Sequence, residues 1–376
     1  MTRQTTANSS TVQDGARNRP ADPQLRAQAL GVSLEAIELC DESDLIDLHL
    51  DTFIPVRLYG YDPTSRHRSR FLGGRYMGHL DLPRASDGGL SGAMWSITTN
   101  PFPTAESRWA IFQANLAHFQ RFVATSRGSI SFVRNAAEYR AAQISGSHGC
   151  FLSIQGGNSL EAAPDGPLSV PDDLLLRVTL VHLTPSAFGG TSCPIENIRR
   201  GHGLTPAGVR FVEQLNQARI FVDLAHIHED AFWDVIDVHD KTQPLLVTHT
   251  GVNGVCSSWR NLTDKQIRAI AETHGTIGII FHQGFLKRPG GPTGAEMVVE
   301  HIQHVIDTVG DDFVSIGSDY DGMITPPRGL RSAERYPCLV QAMLNRGWVP
   351  ERIQKILGTN FLRTLEQLRP TDTSEP

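Results

Sequence analysis

The stretch LIDLHLDT, residues 45–52, is apolar along most of its length and carries its polar side chains at regular places. Leu45, Ile46, Leu48 and Leu50 suit a β-strand covered on both faces, as in a parallel sheet. His49 and Asp51 lie two residues apart, so the period of a strand turns both to one face near its C-terminal end. Seven further runs share this character. They are GAMWSITT (92–99), CFLSIQGG (150–157), RVTLVHLT (177–184), RIFVDLAH (219–226), PLLVTHTG (244–251), TIGIIFHQ (276–283) and FVSIGSDYDG (313–322). Helical patterns separate them. RWAIFQANLAHFQRFVATSR (108–127) spaces Ile111, Leu116, Phe119 and Val123 for one helix face, and TPAGVRFVEQLNQ (205–217) opens with a Thr cap and an inner Pro. TDKQIRAIAETHG (263–275) has Thr263 as cap and Gly275 as stop, and GAEMVVEHIQHVIDTVG (294–310) also closes on Gly. Eight strands alternating with helices predict an α/β fold, a (β/α)8 TIM barrel, whose active site belongs at the C-terminal ends of the strands.

The 376 residues fit one such barrel over 24–368, with a polar leader at 1–23 expected to be disordered and a flexible tail at 369–376. Lys plus Arg number 34 against 40 Asp plus Glu, a formal charge of −6, which argues against nucleic-acid binding as the main task. No apolar run is long enough for a membrane span or for the core of a secretory signal, so the cytoplasm is the expected compartment. Five cysteines (Cys40, Cys150, Cys193, Cys256, Cys338) without a CxxC pair are expected to be small core residues rather than a disulfide frame.

The polar residues gather at one end of the strands: His49 and Asp51 on the first, His182 on the fourth, His226 on the fifth, His249 on the sixth, Asp319 and Asp321 on the eighth. A buried parallel strand is a costly place for an unpartnered polar group. Imidazole and carboxylate together suit Zn²⁺ or a similar divalent cation, which lowers the pKa of a bound water to roughly 7. A carboxylate beside that water, here Asp319, can pass the proton to a leaving amine.

The segments DLHLDT (47–52), GLTPAG (203–208), VDLAH (222–226), VTHTGV (247–252) with RNLTD (260–264), GSDYDG (317–322) and GTNFLRTL (358–365) resemble, in order, the membrane (renal) dipeptidase family of zinc peptidases, family M19, a branch of the amidohydrolase-like barrels. The resemblance implies a metal-dependent hydrolase that cleaves dipeptides or dipeptide-like small molecules, and a homodimer. It implies that His49 and Asp51 bind one zinc and His226 and His249 a second. His182 and Arg260 would hold the substrate, Arg260 by its free carboxylate, and Asp319 would be the acid/base. One position departs: where the family bridges its two metals with Glu, this chain has Gln155, within Ile154-Gln155-Gly156-Gly157-Asn158. Two divalent ions about 3.5 Å apart repel by roughly 19 kcal/mol at an effective dielectric of ~20, and a neutral amide offsets little of that. The expectation is one Zn²⁺, or two of unequal affinity. Two alternatives stay open: Gln155 coordinates adequately with hydroxide as the bridge, or the chain is a non-hydrolytic or impaired relative that binds or modifies a peptide-like intermediate.

Other features read plainly. His301 and His304 belong to an ordinary helix with a solvated face, and His148, His202, His228 and His239 to the surface or loops. Trp95 is core, and His282 borders the pocket. The lysine-free, Arg-rich insertion at 57–90 either selects an acidic substrate or is a solvated loop.

Overall fold

The structure is a computed structural model that describes residues 22–67, 75–194 and 202–371. Among the described residues nine strands form one sheet: β1 (Leu45–Leu50), β2 (Leu90–Thr98), β3 (Ile130–Phe132), β4 (His148–Gln155), β5 (Leu175–Thr179), β6 (Phe221–Asp223), β7 (Leu246–Thr250), β8 (Thr276–Ile279) and β9 (Val314–Ile316). All pair in parallel, in the order β1-β2-β4-β5-β6-β7-β8-β9. These eight strands are the eight apolar runs, and helices cross between most of them, as in a (β/α)8 barrel. The ring closes just beyond β9, where Asp51 N donates to Tyr320 O at 2.9 Å and Asp319 N to His49 O at 3.1 Å. Strand β3 was not expected. It is three residues long, is largely half-exposed, and pairs only with the first half of β4 through Ile130, Ser131 and Phe132. So short a strand carries no periodicity to read.

Alternation along the strands sorts the barrel into layers. Met94, Phe151, Phe221 and Leu246 each precede by two residues a polar Ser96, Ser153, Asp223 or Thr248. The apolar set packs with Phe361 and Leu365 of the C-terminal helix Asn360–Leu368, with the Phe361 ring 5.3 Å from Phe151 and 6.2 Å from Phe221. One end of the barrel is therefore apolar and the polar side chains fall toward the other. Gly278 and Gly317 let β8 and the end of β9 crowd the Thr248 carbonyl, since a Cβ on either would lie 2.0 or 1.8 Å from that oxygen.

The helix signals were good guides, except that Ile111 of the helix Ala105–Thr125 is exposed and Phe112 is buried with Leu116 and Phe119 instead. Thr205 caps Pro206–Gln217, Thr263 and Gln266 form a capping box on Asp264–Glu272, and Glu296–Val309 ends at Gly310 with φ 94°. The expected stop at Gly275 is different: His274 takes the left-handed turn at φ 58°, while a Cβ on Gly275 would meet Leu245 O at 2.1 Å. Cys40, Cys150 and Cys193 are buried, Cys256 and Cys338 partly so, and all five are free. Most of the leader, 1–21, and the tail's 372–376 lie outside the described residues, as do 68–74 of the insertion. Asp22 caps the helix Pro23–Leu30, and Arg369 donates to the carbonyls of Arg219, Arg134, Asp173 and Leu175. Within the insertion Arg66 pairs with Asp87 at 2.6 Å and Arg84 with Asp81 at 2.7 Å, so both are spent on local structure. Among the described residues no helix is long and apolar enough to cross a membrane.

Three histidines expected at the surface are core struts instead. His148 accepts from Trp95 Nε1 at 3.1 Å and donates to Leu90 O. His301 accepts from Val252 N at 2.9 Å and donates to Leu286 O, and His239 is buried against Gln243 O. His304 bonds Asp264 at 2.7 Å, so the i, i+3 pair is not a metal site. Burial lowers the pKa of both His148 and His301 to about 4, and a second ring proton would oppose an N–H that the ring already accepts. Between pH 6.5 and 4 the unfolded chain binds those protons and the folded one does not. Stability is therefore whole above pH 6.5 and falls on acidification, by about 3 kcal/mol per ring. Urea denaturation at pH 7 and 4.5 checks this: His301→Asn is expected to start lower and to lose less on acidification than the parent.

Candidate metal centre and active site

Beneath the barrel mouth lies a buried polar layer that the sequence reading passed over. Asp223 accepts from Thr179 Oγ1 at 2.6 Å, Thr248 Oγ1 at 2.8 Å, and the backbone N–H groups of Thr248 and Ala225 at 3.0 and 3.1 Å. Arg177, with no exposed surface, lies with Nη1 3.2 Å from Asp223 Oδ2. It also donates to Thr179, Ile154 O and Ser153, and its Nη2 reaches His49 Nδ1 at 2.9 Å. Asp47 accepts from His49 N, Ser318 N and the Tyr336 hydroxyl, tying β1 to the chain leaving β9. The available signal was parity: Asp47 is two residues before His49, and Arg177 two before Thr179, each a charge inside an apolar strand.

Above this layer the expected site residues meet. His49 and His249 stack with ring centres 3.9 Å apart. His226 Nε2 lies 2.9 Å from His249 Nε2, and the His182 ring stands edge-on to His226 at 4.7 Å. His49 Nε2, buried without a hydrogen-bond partner, faces Asp51 Oδ1 at 3.7 Å and Asp319 Oδ1 at 3.6 Å. One potential ligand atom each of His49, His249 and Asp319 falls within 4.8 Å of the others. Gln155 occupies the centre, its Nε2 3.2 Å from His226 Nε2 and 3.4 Å from His249 Nε2, its Oε1 3.1 Å from the Thr98 hydroxyl that also reaches Asp51 at 2.8 Å. Arg260 is buried beside them and donates from Nη2 to His249 O at 2.7 Å. Asp321, by contrast, is consumed by Thr52 Oγ1 and the N–H groups of Gly78 and His79, which anchor the loop after β1. His282 lies aside, accepting from Thr325 N.

His226, Asp319, Asp321 and Met323 all hold positive φ, between 62° and 68°. Left-handed non-glycine backbone costs on the order of 1–3 kcal/mol each. It is held here by the contacts that define the mouth: Ser192 N and Thr191 Oγ1 on His226 O, His49 O on Asp319 N, and His79 Nδ1 on Asp321 N.

Burial drives the electrostatics. It lowers the pKa of His182 to about 4 and those of His49, His226 and His249 below the usual imidazole value, with neighbouring rings and arginines adding to the effect on His226 and His249, and Asp51 opposing it at His49. The rings are neutral at pH 7, the form that ligates metals. Burial and Asp51 push Asp319 well above the ordinary carboxyl value. Burial also works to raise Asp51, but the closeness of His49 and His182 and the hydrogen bond from Thr98 outweigh it and leave the group low. Arg260 falls to about 10 through burial, against the pull of Asp319.

The donor set suits a divalent cation. Two buried imidazole nitrogens 2.9 Å apart need a proton or a cation between them, since their lone pairs repel. Thr248 gives its proton to Asp223 and so accepts from His249 Nδ1 at 2.9 Å, which leaves His249 Nε2 bare toward the mouth.

The family model for membrane dipeptidases (peptidase family M19) matches residues 34–375. The chain belongs to the membrane dipeptidase family. It is 27% identical over 308 residues to the dipeptidase tcpJ of Claviceps purpurea, covering 79% of this chain and 71% of that protein. A protein of Klebsiella pneumoniae from the region 5′ of pqqA is 37% identical over 171 residues, 45% of this chain; the match spans only 62% of that relative. A crystal structure of a metallopeptidase from Rhodobacter sphaeroides, liganded with a phosphinate mimic of L-Ala-D-Ala, matches at 29% identity with a TM-score of 0.75, covering 87% of this chain and 99% of that one. The membrane dipeptidase fold thus carries a His/His/Asp candidate metal site at its mouth.

Two substitutions in this member of the membrane dipeptidase family separate support of the site from stability of the fold. Asp223→Ala strands a buried guanidinium and is expected to cost about 3–5 kcal/mol in urea denaturation. Thr248→Val keeps the shape but frees the His249 ring, so affinity for a divalent cation measured by chelator competition should drop roughly 10–100-fold with far less loss of stability.

Proposed function

We propose that this chain is a metal-dependent dipeptidase whose site is unequal in its two halves. The observation that carries the reading is the 2.9 Å approach of His226 Nε2 to His249 Nε2 at the centre of the barrel mouth. His226 and His249 would hold one Zn²⁺, and His49 with Asp51 the weaker place for a second. The bound cation would supply a hydroxide at neutral pH and polarise the scissile carbonyl. The remaining steps belong to the chain. Arg260, cationic and buried, would take the free carboxylate of a dipeptide or dipeptide-like molecule, with His182 beside it. Asp319, whose carboxyl burial and Asp51 push above its ordinary value, sits next to His49 and would carry the proton to the departing amine. The Rhodobacter sphaeroides relative, liganded with a dipeptide mimic, supports this substrate class.

Gln155 supports the weakened bridge, because its Nε2 rather than its oxygen faces the two imidazole nitrogens. The same observation favours a second reading, a relative that binds a peptide-like ligand without cleaving it. A dipeptide library, including members with a D-residue on the C-terminal side, assayed with Zn²⁺, Mn²⁺ and Co²⁺ separates the two: release of free amino acids is the expected result, and binding without turnover selects the second reading. Gln155→Glu is expected to raise both metal affinity and turnover, and Asp319→Asn to lower kcat by about 10²–10⁴-fold while leaving zinc bound. An unchanged Gln155→Glu enzyme would remove position 155 from the metal site.

A further inference from the structure

A guanidinium has five donors and no acceptor. In the 2.9 Å contact between Arg177 Nη2 and His49 Nδ1 the imidazole nitrogen must therefore accept. A neutral ring that accepts at Nδ1 carries its proton on Nε2, the atom turned toward Asp51 Oδ1 and Asp319 Oδ1. An Nε2–H between two carboxylates is well placed as a donor, but it has no lone pair for a cation. The stacked partner ring is set the other way, for His249 donates at Nδ1 to Thr248 and keeps Nε2 bare. One carboxylate arranges both rings: Asp223 accepts from Thr248 and Thr179 and lies 3.2 Å from Nη1 of Arg177. Arg177 cannot swing away, because it is fully buried and its nitrogens also donate to Ile154 O, Ser96, Ser153 and Thr179.

We infer that Arg177 is a positioning residue that closes the His49–Asp51 half of the site to a metal, leaving one tight divalent ion on the His226–His249 half. The guanidinium acts in two ways. It occupies the nitrogen whose protonation would free Nε2 for a ligand bond, and it sets a permanent positive charge on the far side of the same ring, where a second cation would be repelled. Distance alone groups His49 with His249 and Asp319; hydrogen-bond direction takes His49 out of the ligand set and turns its N–H toward Asp51 and Asp319. This rests on the metal-dependent reading above and names the residue behind its asymmetry, separately from Gln155.

Zinc titration of the full chain by calorimetry, with chelator competition to count tight equivalents, tests it. The parent is expected to bind one tight equivalent. Arg177→Met is expected to bind two, with the second at least tenfold tighter than any weak second site of the parent. His49→Ala should keep the parent's tight equivalent, and His249→Ala should lose it. Two tight equivalents in the parent, or loss of the tight ion in His49→Ala, would overturn the inference, as would a folded Arg177→Met that titrates like the parent. If Arg177→Met does not fold, long-range ¹H–¹⁵N spectra of the parent's imidazoles decide, with His49 assigned through His49→Gln. A proton on Nε2 of His49 with one equivalent of zinc present supports the inference, and a proton on Nδ1 sinks it. A parent that binds no zinc would defeat the metal-dependent reading instead, and the same spectrum would still judge the Arg177 contact.

Discussion

The ion pair between Arg177 and Asp223 lies under everything that the mouth of the barrel can do. Neither side chain has any exposed surface, and a buried charge survives only with a partner and with its remaining hydrogen-bonding capacity filled. The first condition is met and the second nearly so: Ser96, Ser153, Thr179 and Thr248 from neighbouring strands bond the two Nη atoms and the carboxylate, and Arg177 Nε is left without a partner. The pair also acts upward. Through a direct bond on one side and through Thr248 on the other, it orients the two stacked imidazoles of His49 and His249. The layer is thus at once the support of the site and the source of its asymmetry.

A second constraint comes from closing the ring. Strand β9 is only three residues long, and the chain after it completes the barrel with two backbone bonds to residues 49 and 51. Those two residues carry site side chains, so the seam itself delivers Asp319 to His49. The turn that follows is strained at Asp319, Asp321 and Met323, and Asp321 and His79 hold it by bonding across to the loop after β1. Geometry at the mouth and integrity of the barrel are therefore not separable at this seam.

Much of this was legible in the primary structure. Eight apolar runs are covered on both faces because parallel strands lie between a packed barrel interior and a shell of helices, and that pattern is local enough to read. His49, Asp51, His182, His226, His249 and Asp319 announced themselves as polar groups at strand ends. Gln155 stood out as a neutral side chain in a place where charge was expected. His148 and His301 have nothing nearby in the chain to pair with and so read as solvated, yet their partners are Trp95 and Leu90, or Val252 and Leu286, which lie 15 to 58 residues away. Strand β3 escaped because three residues hold no period.

The sequence by itself determined the barrel, the end of it that holds the chemistry, and the residue types gathered there, since these follow from side-chain alternation and from the cost of burying polar groups. Only the tertiary structure decided which way each hydrogen bond runs. That Arg177 donates to His49, that Thr248 passes its proton to Asp223, and that the amide nitrogen of Gln155 faces two imidazoles are facts of contact between distant strands. Proton position is set by the partner across space, and a chain read in one dimension does not contain that partner's direction.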